Sequence, residues 1–503
     1  MPENYIEDEL KGTMIKRRHK MIPLFLAAAL ITCICTSCSD KTASNEDEGI
    51  HAEYEEALFE KGRLNDIQIS MENWDDFFEQ TMTKEYNWMD ELVSKTPKEY
   101  DACNVIINGE EVDNVGIRAK GILTLRTAAN TEYNKFSLVL KFNKFTDKQK
   151  YHDLRMLDLN SNLFDATSMK DAVTYDMCRY IGLPAPLCNY AKVSVNGEYY
   201  GCYLAVEPVD KDFCKRNFGK DYGSLYKALH NLNYEPLGLH RYKYIKDMVK
   251  IQNSSFSSVK SALKSVHKKR DMDEHVDIDA VLKYMAVQTM VVNMDGLTGD
   301  ITHNYYLYES DGKISLIPWD YDMAFGGMLR SDDEMFSRRM ELMSEGNFDK
   351  EEWEKERELA YKEEIQTLVN LPVDTPFVVD LSEREFFMNL LSNNEYSKKY
   401  HDYLSVLAEE YVQGGELDNT IKYYTDEIEE IVGTEENSYY KHDDFAPSVE
   451  QLRMFLEKKS ESVIGQLNGS IPSDRDGQAE APETLIDTSD LDVRVMGEMW
   501  YHV

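Results

Sequence analysis

Positive charge is what this 503-residue chain has too little of: 56 Lys and Arg stand against 92 Asp and Glu, a formal charge of −36. A surface so acidic repels nucleic acid and anionic lipid, which excludes both as charge-driven partners. It suits divalent cations or a basic protein partner instead. Cysteine is also scarce. Of 8 residues, Cys33 and Cys35 lie within an N-terminal targeting segment and Cys38 at its end. The remaining Cys103, Cys178, Cys188, Cys202 and Cys214 show no C-x-x-C spacing, which argues against a zinc site. Five is odd, and buried free thiols are the expected state for most of them, although export would permit a disulfide. Long hydrophobic runs are missing as well. The run Ile22 to Ile34 is too short to span a bilayer comfortably.

That run has a different reading. Lys16-Arg17-Arg18-His19-Lys20 precedes it as a basic region, and Cys35-Thr36-Ser37-Cys38 follows it. A basic stretch, a short apolar core and small residues before a Cys resemble a bacterial lipoprotein signal. Residues 1–37 are thus expected to be a signal peptide with Cys38 lipidated, although Cys35 stands where Leu is usual. Met14 is a plausible true start. Retention as an uncleaved anchor is the rival reading. Either arrangement places the rest outside the cytoplasmic membrane, lipid-anchored and facing the extracellular side in the first case.

What remains has the apolar fraction of an ordinary globular protein, 42%, and enough length for two lobes. Residues 38–62 read as a polar tether. Asp66 to Ser70 alternates as a strand does, and Met71 to Met89 has helical spacing. Val105–Ile107 and Val112–Ile117 flank Asn108-Gly109, the preferred two-residue hairpin turn. Lys135 to Phe142 alternates as a third strand. Ser168 to Ile181 is amphipathic and stops at Gly182. Tyr190–Val195 and Tyr199–Val206 flank Asn196-Gly197. Met272 to Val292 has helical spacing, followed by helices over 400–412, 417–432 and 448–467. Asp332 to Glu364 is a charged helical insertion, with substrate gating as its functional alternative. Residues 471–503 are acidic with few apolar residues, and are expected to be a flexible tail.

The chemistry concentrates in residues 293–327. Asp295 lies in a loop and Asn304 follows it. Two short strands are joined at Asp311-Gly312, and the second runs into Asp320. Kinase-type phosphotransferases use this order: a catalytic-loop Asp, a metal-binding Asn, a hairpin, a metal-binding Asp. A loop Asp can orient a hydroxyl and take its proton. Asn and Asp can hold magnesium, which takes a few hard oxygens and keeps its waters. The same residues also serve as plain loop caps.

The wording of the segment narrows the choice. Asn293-Met294-Asp295, Thr298-Gly299, His303-Asn304-Tyr305-Tyr306-Leu307-Tyr308 and Pro318-Trp319-Asp320-Tyr321 resemble the spore-coat protein H (CotH) kinase family. Gly116-Ile117-Arg118-Ala119-Lys120-Gly121, Lys135-Phe136-Ser137-Leu138, Val195-Asn196-Gly197-Glu198, Glu207, Leu225-Tyr226-Lys227 and Val369-Asn370-Leu371-Pro372 fit in family order, over about 63–470. The resemblance implies an α+β, atypical bilobal protein-kinase-like fold. Residues 63–210 would form the N-lobe-like part, and 211–470 a mainly helical C-lobe with the insertion near 332–364. It implies ATP and Mg2+ (or Mn2+) as cofactors and transfer of phosphate to an unidentified acceptor protein, possibly a basic one. Asp295 would be the catalytic base, and Asn304 and Asp320 the metal ligands, with Asp322 ranked below Asp320. One or more of Arg118, Lys120, Lys135 and Lys141 would meet the phosphates. Period two places Lys135 with Lys141, and Arg118 with Lys120, on shared strand faces. Glu207 would pair with a lysine or bond the nucleotide sugar. One departure stands out: Ile122-Leu123-Thr124-Leu125 replaces the polar residues the family has after its Lys-Gly. That leaves open a catalytically inactive binding module. A transferase acting on surface glycans, or moving nucleotidyl groups, is the other alternative.

Overall fold

Seven strands close into a barrel. They are β1 (Asn65–Ser70), β2 (Asp101–Ile107), β3 (Glu110–Lys120), β4 (Ser137–Lys141), β5 (Met156–Asn160), β6 (Cys188–Val195) and β7 (Glu198–Val206). Their order around the wall is β1-β2-β3-β4-β5-β7-β6, with β1 closing in parallel on β6 from Asn65↔Ala191 to Ile69↔Val195. The computed structural model describes residues 51–83, 99–131, 133, 135–228, 231–234, 249–250, 256–345 and 347–497. The signal segment, Cys38 and the start of the tether lie outside the described residues.

Alternation decides which side of each strand faces inward. Val105, Ile107, Val115, Ile117, Leu138, Leu140, Leu157 and Leu159 are all buried in the barrel. The opposite side carries the charges. Antiparallel register pairs Lys120 with Ser137, Arg118 with Val139 and Gly116 with Lys141. It also sets Val139 against Asp158. Cations and a carboxylate thus share the outer wall of β3–β5. Asn108-Gly109 and Asn196-Gly197 turn their hairpins with both residues at positive φ, as the two-residue loop requires.

A second sheet has the order β11-β10-β8-β9, from β8 (Ser224–Lys227), β9 (Val249–Lys250), β10 (Tyr305–Ser310) and β11 (Lys313–Pro318). The helices that matter below are α1 (Glu53–Phe59), α2 (Lys170–Tyr180), α3 (Ile278–Val291), α4 (Arg330–Glu345), α5 (Lys350–Val369) and α6 (His442–Leu467). The helix expected over 272–292 starts only at Ile278, where the Asp277 carboxylate accepts from Ala280 N–H. The charged insertion is the helical hairpin α4–α5.

Two expectations are corrected. The tether is not featureless, because α1 buries Tyr54, Leu58 and Phe59 against the barrel core. Nor is the described part of the tail loose. Ile471, Leu491, Val493 and Met496 are buried, and the short helical turn Val493–Met496 packs on α6. Its apolar residues are few, but these four are buried, while Val495 is exposed. All five described cysteines are buried free thiols. Among the described residues, no helix is long and apolar enough to cross a membrane.

Candidate active site

Helix α3 delivers the Asp295 loop. It ends at Val292, whose N–H donates to Gln288 O at 2.9 Å while its backbone turns left-handed at φ 48°. A β-branched residue in that region is strained, and strain of this kind gathers where a loop is held for use. Asn293 then ties two loops together: its Oδ1 accepts from Asp295 N–H at 3.1 Å and its Nδ2 donates to Asp320 O at 3.1 Å. Asn304, itself at φ 52°, donates from Nδ2 to Asp295 Oδ2 at 2.7 Å. Asp295 and Asn304 therefore meet, and Asn293 ties their loop to Asp320.

Asp320 stands at the end of β11 with φ 61°. Its N–H donates to the Tyr175 hydroxyl at 3.0 Å, and Tyr321 N–H donates to Asp171 Oδ1 at 2.6 Å. Asp171 also accepts from Asn160 Nδ2 at 3.2 Å. Facing these carboxylates, Lys120 Nζ bonds Asn160 Oδ1 at 2.8 Å and Asp158 Oδ2 at 2.7 Å, and lies 4.9 Å from the Trp319 ring centre.

The electrostatics follow from crowding. Burial first, and then the Asp320 charge, push Asp295 up to about 7, with the Asn304 bond pulling the other way. Asp171 rises to about 7 for the same two reasons. Burial raises Asp320 while Lys120 and Lys227 oppose it. Burial, with Asp320, Asp171 and Asp295 nearby, raises Asp322 well above the carboxylate range. Lys227 is pushed down by burial, against the pull of Asp320. Carboxylates that burial and one another's charge keep from ionising fit a divalent cation. Among the described residues, no three His, Cys, Asp or Glu side chains converge into a closed metal cage. A cation held by Asn304 and Asp320 would complete its shell with water or phosphate oxygens, as magnesium does.

The other candidates divide. Lys120 is at the site. Arg118 and Lys141 lie further along the same wall, around Tyr100: Arg118 Nε bonds its hydroxyl at 3.1 Å, and the Lys141 ammonium is 5.7 Å from its ring centre. Lys135 is elsewhere. It precedes β4, so the strand period does not reach it, and its buried Nζ bonds the Glu435 carboxylate and, at 2.8 Å, Cys202 O. Glu207 is also occupied. It is fully buried, accepting from the Tyr54 hydroxyl at 2.5 Å, Arg216 at 2.6 and 3.0 Å and Leu187 N–H at 3.1 Å. It is a structural knot rather than a nucleotide contact.

Sequence reasoning missed Asp158, Asn160, Asp171 and Asn293. Asp171 reads as an ordinary acidic first-turn residue of a helix. Its contacts with Tyr321 and Asn160 distinguish it.

A family model described as CotH kinase protein matches residues 117–463. The inner spore coat protein H of Bacillus subtilis (strain 168) is 24% identical over 267 residues, covering 48% of this chain and 70% of that protein. A solved complex of HipA, HipB and operator DNA from Shewanella oneidensis MR-1 has a chain that aligns at 14% identity with a TM-score of 0.32, over 82% of this chain and 75% of that one. The family match runs from β3 through Asp295, Asn304 and Asp320 into α6, and on it this chain belongs to the CotH kinase protein family.

Proposed function

We propose that this chain is an atypical kinase that moves a phosphoryl group from ATP to a protein hydroxyl outside the cytoplasm, on a bilobal kinase-like fold. The observation that carries the reading is the meeting of Asp295 and Asn304 at 2.7 Å beside Asp320, with Lys120 facing them. Asp295 accepts the proton of the incoming hydroxyl. A carboxylate pushed up to about 7 takes a proton more readily than a free one does. The Asn304 amide fixes its orientation. Asn304 and Asp320 would hold magnesium or manganese, which when bound neutralises phosphate charge and orients the transferring group. Lys120 and Lys227 supply positive charge to phosphate oxygens, and Arg118 and Lys141 extend that charge along the wall. Most of the catalysis is positioning and electrostatic stabilisation. The acidic surface favours a basic acceptor, and attachment at Cys38 would hold the protein at the membrane by lipid alone.

Transfer of γ-labelled phosphate tests this. Asp295→Ala is expected to bind ATP and fold normally while losing transfer by about two to three orders of magnitude. Asp320→Ala is expected to lose metal-dependent ATP binding as well. Equal labelling by wild type and Asp295→Ala would remove Asp295 from catalysis. Labelling from the α-phosphate instead would indicate nucleotidyl transfer. One observation favours an inactive binder: Ile122 and Leu123, which open the helix Leu123–Ala129 after Gly121, stand where the resemblance calls for polar residues. Wild type that shows neither labelling nor an ATP-induced thermal shift would establish that reading. The anchor has its own test. Cys38→Ala is expected to release the protein from membranes or block processing; unchanged membrane retention and mass would exclude lipidation there.

A further inference from the structure

The Asp320–Asp322 loop is held by its backbone. Helix α2 takes Asp320 N–H on Tyr175 and Tyr321 N–H on Asp171, and its Lys170 Nζ donates to Asp322 O at 3.2 Å. Lys170 is fully buried, and the same ammonium donates to Phe164 O at 3.3 Å and to Gly497 O at 3.0 Å. An ammonium has three donors, which here meet three carbonyls. Gly497 belongs to the C-terminal segment, and that segment touches the loop again. The Val493 side chain closes over Gly326, where an added Cβ would sit 2.9 Å from Val493 Cγ2. Met496 O accepts from Ala166 N–H at 3.0 Å.

The segment is itself fastened to α5. Val493 N–H donates to the Tyr361 hydroxyl at 2.8 Å, and Arg494 bridges Glu358 at 3.0 Å. The loop needs such bracing. Asp320 at φ 61° and Phe325 at φ 59° sit in the left-handed region without being glycine. Such conformations persist only where the surroundings over-determine them.

We propose that residues 491–497 are a strap that holds the Asp320–Asp322 loop in working geometry. Lys170 is the positioning residue that ties strap, loop and α2 at one point. The strap's effect on turnover rests on the phosphoryl-transfer reading; its effect on the loop does not.

The test uses full-length wild type, Lys170→Met and Arg494→Gln. Arg494 lies outside the site, so its variant loosens the strap without touching the loop. Amide hydrogen exchange is followed across 320–327 and, as control, across β4. Both variants are expected to speed exchange at 320–327 at least tenfold with β4 unchanged. Lys170→Met is also expected to lower kcat at least tenfold and to raise the Mg2+ concentration needed for half-maximal ATP binding. Unchanged exchange at 320–327 in Arg494→Gln overturns the strap, as does an equal rise in β4, which would signal general loosening. Wild type without transfer activity would sink the kinase reading, and the exchange result would still decide the strap.

Discussion

Burial sets the behaviour of single ionisable residues here more than pairing does. Lys459 on α6 shows this away from the site. It is fully buried, donates to Leu368 O at 3.0 Å, and burial pushes it down to about 7. In the unfolded chain it titrates near ~10.4. Between those values the unfolded chain holds a proton that the folded one lacks, so this residue makes stability rise as pH climbs from 7 towards 10. Lys459→Met is expected to flatten that slope and to raise stability at pH 7 by on the order of 1–2 kcal/mol. Urea melts at pH 6, 7, 8 and 9 would check it; an unchanged slope would show that Lys459 stays charged. Glu207 is the converse case, a buried charge that is fully paired. Arg216→Met leaves it with only the Tyr54 and Leu187 donors and is expected to cost about 3–5 kcal/mol. Adding Glu207→Leu to that variant should recover most of the loss, read by the same melts.

At the scale of elements, the sequence was most legible where one local rule decides. The Asn-Gly hairpins fall where alternation and turn chemistry place them, and Ser168–Ile181 shrinks only to Lys170–Tyr180. That Asp295 and Asn304 lie together, tied to Asp320 through Asn293, is legible because a family wording supplements their spacing. What stayed hidden depends on partners distant in sequence. Lys135 looks like its neighbour Lys141, yet bonds Glu435, 300 residues away. Glu207 looks available until α1 and Arg216 close on it. The barrel's parallel β1–β6 seam leaves no local signature. Composition does not reveal the tail's packing, because its few apolar side chains include Val493 and Met496, both fully buried.

For the whole molecule, net charge shapes behaviour most. A formal −36 self-repels, so added salt is expected to raise the thermal midpoint until screening saturates, with Mg2+ effective at lower concentration than Na+. A midpoint indifferent to salt between about 10 and 300 mM would show that the acidic groups are already compensated. The same charge predicts no appreciable binding of DNA or RNA at physiological salt. A micromolar, salt-sensitive complex in a gel-shift titration would contradict that.

The contact between Lys170 and Gly497 also sets a timetable. A chain emerges from the ribosome amino end first. The barrel is complete in sequence by Val206, and Asp320 follows, but Gly497 comes only after both. A chain made only as far as Asp320 can build its barrel wall and still lack the fastening that the strap supplies. The loop that carries Asp320 is then braced only after Gly497 has been made, however early the barrel forms.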